Sequence, residues 1–156
     1  MREISTNLIT DTIAEMCITA NCNLNQDVYI ALEQAKQKEE SPIGKEILCQ
    51  LTKNADIAQK QQMPICQDTG MAIIFMEIGQ EVHITGGLLE DAVNEGVRKG
   101  YQKGYLRKSI VQDPFIRVNT KDNTPAILYT KIVAGNNIAI TVAPKGFGSE
   151  NMSRVY

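Results

Sequence analysis

Three glycines spaced four apart, Gly96, Gly100 and Gly104, lie along and just past a stretch (88–103) whose apolar residues repeat at helical spacing. A glycine inside a helix costs about 1 kcal/mol relative to alanine. A row of them is explained when another backbone must lie against the helix, closer than a Cβ would permit. The fold must therefore place a second element flush against this helix, and that is the tightest constraint the sequence sets.

The other elements follow from periodicity and punctuation. Ile4, Leu8, Ile9, Ile13, Met16, Cys17 and Ala20 recur at helical spacing, which predicts an amphipathic helix over 4–21. A second helix over 27–38 is expected to bury Val28, Ala31, Leu32 and Ala35. Ser41–Pro42 supplies an N-cap and a first-turn proline for a third, carrying Ile43, Ile47, Leu48, Leu51 and Ala55, with Cys49 inside it. After Pro64 the period changes. Residues 71–78 read as a buried strand, with 81–85 as a short partner after the turn at Gly79, and further strands at 115–118, 126–133 and 138–143. Helices first and strands later predict an α+β fold, one domain over 1–156 in which N-terminal helices pack with a mixed or antiparallel sheet.

Charge excludes several function classes. Sixteen Lys and Arg against 18 Asp and Glu leave a net charge of −2, which gives no electrostatic footprint for nucleic acid or an acidic membrane surface. No apolar run approaches the roughly 20 residues of a membrane-spanning helix. The N-terminus lacks the basic start and apolar stretch of a signal peptide, so the expectation is a soluble cytoplasmic protein with reduced thiols. Cys17, Cys22, Cys49 and Cys66 include no Cys-x-x-Cys pair, which argues against a closed zinc site. The chain stops at SRVY soon after a glycine-rich turn, and this reads as a fragment.

Three segments carry candidate chemistry. In MPICQDTG (63–70) a cysteine is followed by an amide, a carboxylate, a hydroxyl and a glycine able to make a tight turn. The residue types leave two readings open: a thiolate presented beside polar groups, or a buried thiol beside an Asx turn. In GYLRKS (104–109), Arg107 offers a planar fork to a carboxylate, or is one of two exposed basic residues on a loop. In PKGFGSENMS (144–153), a strand leads into Gly146 and Gly148, whose backbone N–H groups can cradle an anion if the loop is more than a hairpin. It lacks the spacing of a P-loop or of a dinucleotide fingerprint. His83 has no second histidine to work with, and Cys17 lies on an apolar stripe, so both read as structural. The segment VNTKDNTPA (118–126) predicts a hydrogen-bonded turn. Together these features describe half a site for a small carboxylic acid, with a metal held by cysteine.

In that order, MPICQDTG, GYLRKS, NTKDNTPA and PKGFGSENMS resemble the class I fumarate hydratases, and more narrowly the N-terminal part of the α subunit of their two-subunit form. Tartrate dehydratases share the Cys-Gln-Asp-Thr-Gly run but differ in the glycine-rich loop. The resemblance implies a hydro-lyase that dehydrates L-malate to fumarate with a 4Fe-4S cluster held by three cysteines, one iron being left open. Cys66 would be the first of the three, the others lying beyond Tyr156. By the same resemblance Gln67 and Asp68 contact substrate, with Asp68 exchanging the proton of the substrate hydroxyl. Arg107 clamps a carboxylate, and Gly146, Gly148 and Ser149 hold another oxygen. It implies a β subunit or C-terminal domain as partner, a dimeric complete enzyme, and no activity for these residues alone. Competing expectations are a dehydratase for tartrate or a methylated substrate, a non-catalytic assembly module in which Cys66 is a core thiol, and a thiol redox sensor, for which no nearby resolving cysteine is present.

Overall fold

The structure, a computed structural model, describes residues 1–148 and Asn151. The elements run β1 (Arg2–Ser5), α1 (Thr6–Cys22), α2 (Gln26–Lys38), α3 (Pro42–Gln61), β2 (Met71–Gly79), β3 (Val82–Thr85), α4 (Leu89–Lys103), β4 (Ile127–Val133) and β5 (Ile138–Lys145). The class is α+β, as expected, and the larger sheet is mixed: β2 is central, parallel to β4 and antiparallel to β5.

The glycine row finds its partner in α1. A Cβ at Gly96 would stand 2.8 Å from the Thr10 carbonyl oxygen and from Ile13 Cβ. At Gly100 it would meet the Ala14 carbonyl at 2.8 Å and Cys17 Cβ at 2.9 Å, and at Gly104 it would meet Ile18 at 2.9 Å. The contacts advance in the same sense along both helices. This follows from the strands before them, since β1 and β3 pair in parallel and each feeds its own helix. Thr10 Oγ1 donates to the Ala92 carbonyl at 2.9 Å across the same seam.

Alternation along β2 places Ala72, Ile74, Met76 and Ile78 against this helix pair. They form one core with Ile9, Ile13, Cys17, Val93, Val97 and Tyr101, flanked by Leu128, Ile138, Ile140 and Val142. The opposite face of the sheet is exposed, with Phe75 stacked on its ladder partner Tyr129 (centroids 5.2 Å apart) and Glu77 3.6 Å from Lys131.

Four expectations are corrected. The predicted helix over 4–21 begins at Thr6, because Ser5 caps it by accepting from Leu8 N–H at 3.3 Å, while Ile4 belongs to β1. Strand 82–85 pairs with β1, not with β2 across the Gly79 turn. Residues 115–118 form a turn, since the Asp113 carboxylate accepts from the N–H groups of Phe115 (2.8 Å) and Ile116 (3.0 Å), and its carbonyl from Arg117 N–H (2.9 Å). That local closure competes successfully with the strand preference of Phe115, Ile116 and Val118. Finally, α2 buries no residue, and Ile43, Ile47 and Leu51 of α3 are exposed. The part of α3 that is buried consists of the small side chains Thr52, Ala55 and Ala58. The start of α3 is as predicted, with Ser41 Oγ accepting from Gly44 N–H at 3.3 Å and Pro42 in the first turn.

Candidate functional site

The β2–β5 register brings the first and third motifs together. Met71 lies opposite Lys145, so the segment entering β2 runs beside the segment leaving β5. Gly70 makes the contact possible. Its φ is +61°, and a Cβ there would run into the Lys145 carbonyl and stand 2.6 Å from Gly146 N. Upstream, Ile65 N–H donates to the Asn21 carbonyl (2.9 Å) at the end of α1, and the Ile65 carbonyl accepts from Asn54 Nδ2 (2.9 Å) on α3. Cys66 therefore emerges from an anchored residue.

Cys66 is exposed, and its Sγ accepts from Asp68 N–H at 3.4 Å. The Asp68 carboxylate turns to the glycine-rich loop, where Oδ2 accepts from Phe147 N–H at 2.9 Å and Gly148 N–H at 3.0 Å. Of the two glycines expected to cradle an anion, Gly148 gives its N–H to Asp68, and its companion is Phe147 rather than Gly146. The Gly148 and Phe147 N–H groups, helped by the charge of Arg107, hold the Asp68 carboxyl below the usual carboxylate range. A Cβ at residue 148 would stand 3.7 Å from Asp68 Oδ2. Gln67 and Arg107 are exposed, Gly146 is half-buried, and Ser149 lies outside the described residues.

The second motif joins through buried groups. Thr69 Oγ1 donates to the Arg107 carbonyl at 2.9 Å, and Tyr101 Oη on α4 donates to the Thr69 carbonyl at 2.8 Å. Asn123, from the Asn- and Asp-rich turn, accepts from Ser109 N–H at 2.8 Å and donates to the Gly70 carbonyl at 3.1 Å. Sequence reasoning did not single out Tyr101 or Asn123 as parts of the site. A signal existed for Tyr101: a tyrosine on a core-facing stripe must find a partner for its hydroxyl.

The donor set fits one position of a thiolate-held metal group. Cys66 offers an exposed sulfur with an N–H already directed at it, an interaction that tunes cluster thiolates. Cys17 and Cys22 are sealed in the core, burial pushing the Cys17 thiol up to about 12 and the Cys22 thiol upward. Cys49 lies on α3, and His83 on β3 opposite Glu3. Among the described residues no three His, Cys, Asp or Glu side chains gather as a metal site, and no helix is long and apolar enough to cross a membrane.

The family model described as fumarate hydratase (Fumerase) matches residues 10–156. A putative L(+)-tartrate dehydratase subunit alpha from Methanocaldococcus jannaschii is 37% identical over 93% of this chain and 53% of its own length. The anaerobic class I fumarate hydratase of Escherichia coli is 38% identical over 83% of this chain and 26% of its own length. An L(+)-tartrate dehydratase subunit alpha from the same species is 28% identical over 94% of this chain and 49% of its own length. The chain spans about half the length of the α subunits it matches.

Proposed function

The chain belongs to the fumarate hydratase family, and from that premise we propose that it is the N-terminal part of the α-type subunit of an iron–sulfur hydro-lyase that interconverts L-malate and fumarate. The observation that carries this reading is the convergence of Cys66, Asp68, the Arg107 segment and the 146–148 backbone on one end of the β2–β5 pair. Cys66 would be one of three thiolates holding a 4Fe-4S cluster, the other two coming from outside these residues. When bound, the cluster supplies a Lewis-acidic iron that eases departure of the C2 hydroxyl.

The chain's own groups bind and orient. Arg107 presents two parallel N–H donors to a substrate carboxylate. Gln67 offers its amide to the polar edge of the same molecule. Asp68, with Oδ2 committed to two N–H groups, exchanges the hydroxyl proton at Oδ1. By the family resemblance, Gly146, Gly148 and Ser149 hold another oxygen of the substrate. The base for the C3 proton comes from elsewhere in the assembly. The working enzyme is cytoplasmic, pairs this part with the rest of an α subunit and a β subunit or domain, and is a dimer.

A second reading, dehydration of L-tartrate, is favoured by one observation: two matching relatives named as α subunits are tartrate dehydratases, one of them putative. The test is anaerobic assembly with the remaining α segment and the β subunit, followed by turnover of malate and tartrate. Malate turnover by the assembly and none by the chain alone is expected. Turnover by the chain alone would contradict the cluster assignment, and a preference for tartrate would select the second reading.

A further inference from the structure

The turn at 119–125 takes no part in the chemistry assigned above, yet it holds the most deeply enclosed polar side chain near the site. Asn123 is 0% exposed, and its backbone sits in the left-handed region at φ +65°. Asp122, next to it, is tied to α4 by Arg98 Nε at 3.0 Å and closes on Thr124 through that residue's N–H (3.0 Å) and hydroxyl (2.8 Å). Ala126 N–H donates to Asn94 Oδ1, also on α4, at 2.9 Å. The turn is thus fastened to the helix on both sides of Asn123.

From that anchored position the amide reaches two different loops. Its oxygen takes the Ser109 N–H and its nitrogen gives to the Gly70 carbonyl. One target is a donor and the other an acceptor. An uncharged amide supplies both the acceptor and the donor, whereas a carboxylate lacks the donor and an aliphatic side chain lacks both, leaving the Gly70 carbonyl only the longer bond from Tyr101 Oη (3.3 Å). We propose that Asn123 sets the spacing between the Cys66–Gly70 turn and the Arg107–Ser109 segment, and so acts as a positioning residue for the dicarboxylate. This rests on the reading of Arg107 as the carboxylate clamp. Asn123 does not touch substrate. It determines where the guanidinium stands relative to Asp68 and Cys66, because Gly70 and Ser109 are each two residues from one of these groups.

The test uses the complete assembled enzyme with Asn123→Asp, which keeps the acceptor for Ser109 but loses the donor to Gly70, and Asn123→Gly, which suits the positive φ and places no charge in the buried site. Each is made with and without Arg107→Ala. A misplacement near 1 Å lowers kcat/KM by about 100-fold, and we expect that loss for the single Asn123 variants. With Arg107 already removed, the Asn123 substitutions should cost little more, because the group they position is gone. Hydrogen exchange read by mass spectrometry should accelerate in 66–70 and 107–109 while α1 and α4 keep their protection. Losses that multiply independently, or exchange that is unchanged or rises uniformly, would overturn the positioning role. If Arg107→Ala alone left the dicarboxylate KM unaltered, the carboxylate-clamp reading would fall instead, and the exchange pattern would still decide whether Asn123 couples the two loops.

Discussion

Replacing Gly100 by alanine sets two known effects against each other. Helix propensity favours the change by about 1 kcal/mol. Against it, the new methyl would stand 2.8 Å from the Ala14 carbonyl oxygen, 2.9 Å from Cys17 Cβ and 3.1 Å from Ala14 Cα. Two of those three atoms are backbone of α1, so relief requires the helices to part along a seam that also carries Ile13, Val97 and Tyr101. Overpacking of this kind costs about 1–3 kcal/mol, giving a net loss of up to roughly 2 kcal/mol, or several degrees in Tm for a chain of this size. Gly44 is the control. A Cβ there meets the end of the Glu39 side chain, with Cδ at 2.7 Å and Cγ at 2.8 Å, which can swing away. Gly44→Ala should therefore stabilise by roughly 0.5 kcal/mol, about half of the propensity gain surviving displacement of Glu39 from its bond to Ser41 N–H. Urea denaturation followed by far-UV circular dichroism would compare the two variants with the parent. Opposite signs are expected. Equal stabilisation by both would refute the close α1–α4 seam.

Gly70→Ala should cost roughly 2–5 kcal/mol by combining a left-handed backbone with a clash against the Lys145 carbonyl; unchanged denaturation would remove Gly70 as the joint between the two loops. Tyr101→Phe withdraws the donor from the Thr69 carbonyl in a site where Thr69 is 2% exposed. A loss of about 1–3 kcal/mol is expected, against none for Tyr105→Phe, whose ring is 93% exposed. Burial opposes the charge of Asp122, but the Thr124 hydroxyl and N–H and the Arg98 guanidinium outweigh it and hold the carboxyl at about 2. Because the folded value lies below the ordinary 3.8, this contribution is complete above roughly pH 4 and disappears as pH falls through 2. Acid titration of stability should show that slope in the parent and a flatter one in Asp122→Asn.

Much of this was legible locally. The glycine row announced a close helix contact, Ser41–Pro42 marked the start of α3, and the apolar runs at 71–78, 126–133 and 138–143 became the three strands of the larger sheet. What failed was non-local. A four-residue strand at Arg2–Ser5 carries too little pattern to be distinguished from the helix after it, and its pairing with β3 is decided 80 residues away. Apolar spacing on α2 and α3 showed that a stripe exists without showing what covers it. The motifs around Cys66, Arg107 and Gly146 were visible as separate chemistries, but that Asp68 fills the N–H pair of the glycine loop follows from the β2–β5 register. Asn123 stood in a turn-forming run whose composition predicts local hydrogen bonds, whereas its amide spends them on two other loops.

The central claim is that Cys66 is a cluster ligand and the neighbouring groups exist to orient a substrate there. Its most direct test is the complete α–β assembly, reconstituted anaerobically with iron and sulfide, with iron per protein and malate-to-fumarate turnover measured for the parent and for Cys66→Ser. Loss of both in the variant is the predicted result. Retention of both would contradict the account, leaving Cys66 an exposed thiol and the site without its metal.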